Sequence, residues 1–209
     1  MLRLLAVSFG MILAGLLYAQ PIEKVDVRAD TAGSIKSLLR RSNLHIHART
    51  FAMGTVNQQE LTDYYAFAMG AGMGFESARL YGLSFGMSGW AMANVASSDL
   101  NAQDSLSRGF NRYELGLFDI TDPANRFRLY RLEDFYVRYH VSRTQATVGK
   151  FNLKSPFINP QDGRMRPTMV EGVWLETEDI PWLHVEGGWI WRISPRGTMQ
   201  WYSVANSLG

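Results

Sequence analysis

The chain contains no cysteine. Disulfide staples are therefore excluded, and so is any metal site built on thiolates. Beyond the opening stretch no apolar run reaches the about 20 residues that a membrane-spanning helix needs. Neither charge is in excess: 21 Lys and Arg stand against 19 Asp and Glu. That balance gives no case for a nucleic-acid partner. Arg3 is followed by an apolar run, Leu4 to Leu17, broken only by Ser8, Gly10 and Gly15. Leu17-Tyr18-Ala19 then precedes Gln20. A positive start, an apolar stretch and a small residue at the cut form the pattern of a secretory signal. Residues 1–19 are expected to be removed on export.

Hydrophobic residues still make up 46 % of the sequence and aromatics 12 %, with 19 glycines scattered among them. Strands that alternate a lipid face with a lumen face average to this kind of moderate hydropathy. Seven segments show the period of two that marks a strand: 44–52, 65–76, 81–94, 132–141, 144–153, 173–177 and 183–193. In the first, Leu44, Ile46, Ala48, Thr50 and Ala52 alternate with His45, His47 and Arg49. In the second, Tyr65, Phe67, Met69, Ala71, Met73 and Phe75 alternate with small residues and Glu76. In the last, Trp189 and Trp191 oppose Glu186, Ile190 and Arg192. The links run long, short, long, short, long, short. The long ones are Gly54–Thr62, Val95–Phe127 and Lys154–Glu171; the short ones lie near Ser77–Leu80, Ser142–Arg143 and Asp179–Pro181. Tight turns at one end and long loops at the other are the layout of a bacterial outer-membrane barrel. A soluble Greek-key sandwich has no reason to sort its loops so. Arg112–Ile120 has strand character and is read as an extended piece inside the second long loop. Ahead of the first strand, Ala32–Ser42 has the spacing of a short amphipathic helix.

Catalytic and metal readings fare poorly. His45 and His47 share a strand face but have no acidic partner in their strand, so they are read as lumen-facing polar residues and not as metal ligands. Gly70-Ala71-Gly72-Met73-Gly74 lacks the dinucleotide spacing and lies inside a strand. Glycines facing a neighbouring aromatic explain it better. Glu133 and Asp134 are adjacent and are expected to point to opposite faces, which makes them poor acid–base partners. No Ser/His/Asp set has a recognisable motif. The chain is expected to be no enzyme and to need no cofactor. Trp189, Trp191, Tyr65, Tyr139 and Phe75 lie near strand ends on the apolar faces, as the aromatic girdles of a membrane barrel would.

Residues 150–174 read KFNLKSPFINPQDGRMRPTMVEGVW. With Gly149-Lys150, Ser155-Pro156, Asn159, Asp162, Arg164, Pro167-Thr168 and Glu171-Gly172, this stretch resembles the third loop of the outer-membrane porin D (OprD) family, in particular a Bacteroidetes-type branch. Residues 61–66, 97–100, 111–114 and 193–197 add to the resemblance. It implies a monomeric or trimeric channel of roughly 18 antiparallel strands. It also implies that the third loop, 154–171, folds into the lumen, with Asp162, Arg164 and Arg166 at the constriction. A lumen ladder of basic side chains, here Arg49, Arg138, Lys150 and Arg192, would lead small charged solutes to it. Membrane lipid and small hydrophilic solutes would be the partners.

The fold expected is therefore all-β, a transmembrane antiparallel barrel built as an up-and-down meander. Residues 20–43 would form a periplasmic lead-in and 44–209 part of the barrel. Seven strands are few for such a porin, so an incomplete N-terminal portion is expected. The rival reading is a small non-porous barrel serving as an anchor or adhesin, which would pack its lumen and need no inserted loop.

Overall fold

A computed structural model describes residues 31–58, 61–104, 106, 108–109, 111, 113–160, 164–180 and 182–207. The expected signal at 1–19 and Asp162 lie outside these. Each of the seven expected segments is a strand: β2 (Asn43–Thr55), β3 (Tyr64–Glu76), β5 (Leu83–Ser97), β6 (Leu129–Val141), β7 (Thr144–Phe151), β8 (Met169–Thr177) and β9 (Val185–Ser194). Short strands β1 (Thr31–Ala32), β4 (Arg79–Leu80) and β10 (Tyr202–Ser203) join them in one sheet. The seven long strands form an antiparallel meander, each paired with its neighbours in that series. Among the described residues no pairing joins β2 to β9 or β10.

Alternation decides the two faces. On β2 the odd positions from His45 to Thr55 are half-buried and the even ones exposed. One face of the sheet is bare and apolar: Ile46, Met73, Phe85, Val137, Val148 and Val173 are all exposed on it. Tyr65, Tyr139, Trp189 and Trp191 stand on this face, as expected of an aromatic girdle. The other, inner face carries His47, Arg49, Trp90, Arg131 and Arg138, and the long links 98–128 and 152–168 fold over part of it.

Sequence and structure differ in three places. Residues 113–120, expected to be extended, form turns and no strand. Leu115–Leu117 forms a 3-10 turn, and Leu117 and Phe118 are 1 % and 2 % exposed. Burial outweighs the extended pattern: these side chains join Ala66, Ala68, Trp90, Met92, Leu129 and Met165 in one apolar cluster over the inner face. Glu133 and Asp134 also depart from strict alternation. Ser88 alone stands opposite both, since Met87 pairs with Phe135 and Gly89 with Leu132. A bulge of this kind sets two residues against one and bends the strand. It brings both carboxylates to the inner side. Third, β8 begins at Met169 rather than at Val173, which shortens the inserted segment to 152–168. The helix expected at 32–42 is α1, Ile35–Arg41, started by a reciprocal Ser34–Ser37 capping box. A second short helix, α2 (Val204–Ser207), ends the described chain.

Candidate pore-lining site

The inner wall is built around the glycines of β3. His47 stacks on Trp90 with ring centroids 4.8 Å apart, and His45 continues the stack at 6.3 Å. Gly70, Gly72 and Gly74 lie directly beneath these rings. A side chain there would lift the stack from the wall. Gly86 does the same for the Tyr136 ring. Among the described residues no group of three or more His, Asp or Glu could hold a metal.

Over this wall sit the two inserted segments. Arg49 Nη1 on β2 donates to the carbonyl oxygen of Arg164 at 3.3 Å. Arg164 Nη1 donates to the carbonyl of Tyr113 in the other segment. Burial, then the nearby Arg196 charge, holds Arg164 below the usual arginine range. Arg196 itself is exposed. Arg49 thus reaches the loop backbone at Arg164, and Arg196, just past the end of β9, lies near enough for its charge to act on the Arg164 side chain. Thr55 Oγ1 donates to the buried Glu114 carboxylate at 2.6 Å, and Glu114 is the acidic counterweight beneath them.

Arg166 differs from the expectation of an exposed constriction residue. It is 2 % exposed, and it donates to the carbonyl of Phe118 and to Met92 Sδ. Burial first, then the Arg131 charge, pushes it down to about 9, against the pull of Asp119 and Glu133. Its neighbours Met165 and Met169 are anchored in the packed interior, and strand-like alternation does not apply in the loop between them. Arg166 therefore pins one inserted segment to the other.

The four expected ladder residues fall into two groups. Arg49 stands under the Arg164 end of the 152–168 segment, and Arg138 lies further along the inner wall. Arg138 Nη1 is 3.5 Å from Glu76, its Nε donates to Thr147 Oγ1, and its guanidinium lies 4.5 Å above the Tyr136 ring. Lys150 and Arg192 instead share one carboxylate, Glu171, at 3.7 and 3.9 Å, in strand register with Phe135. Lys150 Nζ also lies 4.3 Å over Trp201. Beyond Arg138 the inner wall opens into a cavity of about 1280 Å³, with Arg79, His140 and His45 on one side and Glu176 and Glu178 on the other. Two residues went unmarked in the sequence: Arg196, which falls beyond the last strand pattern, and Arg131, just ahead of the segment that alternates cleanly.

With this geometry in view, comparison with known proteins is specific. Residues 106–207 match the model of the outer membrane porin, OprD family. No curated protein matches the sequence. Solved structures do. OccK9 (OpdG) of Pseudomonas aeruginosa is similar at a TM-score of 0.60 and 16 % identity, over 79 % of this chain and 41 % of that one. OccD3 (OpdP) of the same organism is similar at 0.55 and 16 %, over 79 % and 32 %. OccAB1 of Acinetobacter baumannii is similar at 0.56 and 16 %, over 76 % and 36 %. The chain spans about a third to two fifths of the length of these relatives. The matched family is one of porins rather than enzymes. The covered inner face is thus the lumen side of a barrel wall and the bare face its lipid side. Residues 106–207 match the OprD family of outer membrane porins, and the sheet they help to build is part of a β-barrel of the bacterial outer membrane.

Proposed function

We propose that the chain supplies part of the wall and the constriction of a water-filled channel for small charged solutes, with anions favoured. The observation that carries this reading is the hydrogen bond from Arg49 of the inner wall to the backbone of Arg164 in the inserted loop, with the Arg196 charge close to Arg164. Charges act strongly on passing ions where water is scarce. Arg164 and Arg196 meet the anionic group, Arg49 supports the loop from below, and Arg138 continues the cationic path along the wall. Asp162, the acid expected beside these arginines, lies outside the described residues. Lys150 and Arg192 stand with Glu171 in register with the exposed Phe135, on the bare face, so the lumen ladder rests on Arg49 and Arg138. One of the similar structures, OpdK of Pseudomonas aeruginosa, was determined with vanillate, an aromatic carboxylate. That supports a preference for carboxylates here. The loop motif of residues 149–172 favours a Bacteroidetes-type branch, and α1 belongs to a periplasmic lead-in. An anchor or adhesin barrel needs no inserted loop, and the inserted pair 98–128 and 152–168 weighs against that rival.

Liposome swelling tests the proposal. The complete channel that contains these residues should admit small monocarboxylates faster than an uncharged sugar of equal size. Equal or slower entry would contradict the anion preference, and no entry of either would contradict the channel.

A further inference from the structure

Arg131 lies on the inner side of β6 and is 3 % exposed. Its Nη2 donates to Glu133 Oε1 at 2.7 Å and to the carbonyl of Pro167 at 2.8 Å. Its Nη1 donates to Ser194 Oγ at 3.2 Å and toward the carbonyl of Pro195 at 3.4 Å. One guanidinium thus joins three parts of the chain: the wall strand β6, the back of the 152–168 segment, and the end of β9. A buried cation is costly to desolvate and persists only where its hydrogen bonds are met. The planar fork of arginine suits several acceptors at once, which a lysine ammonium does not reproduce.

Two apart on β6, Arg131 and Glu133 share the inner face by alternation alone. The bulge opposite Ser88 brings Asp134 to that side as well, where it takes the hydrogen bond from Ser88 at 2.6 Å. A sequence that keeps an inward acid and a buried arginine at the foot of a loop has made that loop a fixed part of the wall. The front of the segment is held by apolar packing instead: Leu153 is buried with Phe151 and Val170, Ile158 packs against them, and Phe157 is 94 % exposed. The end bonded to Arg131 is the one that carries Arg164, three residues before Pro167.

We propose that Arg131, paired with Glu133, is a positioning residue that latches the constriction segment to the wall and so fixes Arg164 in the passage. It touches no solute. This rests on the channel reading above. Without the latch the segment should leave its seat, and Arg164 should visit more than one position.

The test uses the complete channel in planar bilayers, with heat-modifiable gel mobility as the control for a folded barrel. Arg131→Met should raise the frequency of excursions from the main conductance level by about tenfold or more, as loss of a charge-assisted hydrogen-bond set would. It should also open the 152–168 segment to trypsin. Arg131→Lys, which keeps the charge but not the fork, should lie between. If the methionine variant fails to insert, Glu133→Gln takes its place, with the same rise expected. Quiet, trypsin-resistant channels in whichever variant inserts would overturn the latch. The same channels carrying Arg164→Ala separate the two readings. A selectivity shift there with quiet Arg131 variants removes the latch and leaves the channel reading standing. A parent that does not conduct overturns both.

Discussion

Gly72 of β3 and His47 of β2 are register partners, and the ring of His47 lies where a Gly72 side chain would be. A Cβ on Gly72 would come 2.6 Å from His47 Cε1 and 2.6 Å from Trp90 Cε3. The Trp90 ring is 3 % exposed, beneath the inserted segments, and has no room to retreat. Gly72→Val is therefore expected to destabilise the folded barrel by roughly 1–3 kcal/mol, the usual cost of overpacking. The heat-modifiability midpoint should fall. Gly187, whose Cβ would meet nothing within 4 Å, is the control: Gly187→Ala should leave the midpoint nearly unchanged.

Much of this wall was legible in the sequence. Alternation located all seven long strands, and it sorted Leu44 through Arg49 correctly between the faces, because the pleat has a fixed period. The order of long and short links gave the meander. What alternation does not reveal is an extra residue in the ladder. Glu133 and Asp134 are therefore misread as opposed, although the structure sets both against Ser88. The inserted segments are legible as long links but not as packed objects. Nothing in RYELGLFDI announces that Leu117 and Phe118 will be buried over a sheet. Arg166 shows the same limit. Charge and loop position suggest a solvated cation, and only the packing reveals an internal pin.

The lipid face has a depth-dependent test. Met69 is near the middle of β3 and 48 % exposed on the bare side. A cation at the bilayer midplane costs roughly 2–4 kcal/mol in such barrels. Met69→Arg should lower folding yield into lipid vesicles and the unfolding midpoint in urea, while Met69→Leu should change neither. Wild-type behaviour of the arginine variant would mean that this face does not meet lipid.

The short-turn end has a pH signature. Asp179, in the link between β8 and β9, accepts hydrogen bonds from Thr144 Oγ1 at 2.7 Å and from the Arg143 amide at 2.9 Å. Those bonds, with the Thr144 one first, hold its carboxyl below the ordinary 3.8. A carboxyl depressed on folding adds stability that is present above its unfolded value and is lost as pH falls through the folded one. Asp179→Asn should thus be less stable than wild type at neutral pH, and the difference should close as pH drops below about 3.8. Thermal midpoints of both proteins at pH 7 and at acid pH would show it. A gap that persists unchanged at the acid end would mean that the carboxylate charge is not what matters.

In the proposed channel the third loop sets selectivity through Arg164. The direct measurement is the reversal potential of the complete channel in a salt gradient, for wild type and Arg164→Ala. Arg164 is held beside the inner wall by Arg49 and has the Arg196 charge nearby, so its removal takes one cation from the proposed passage. The reversal potential should move toward cation preference, with Arg196→Ala moving it the same way. Arg166→Ala, by contrast, should act through the stability and noise of the channel, since its charge is buried. Unchanged selectivity and conductance in Arg164→Ala would contradict the assignment of the constriction.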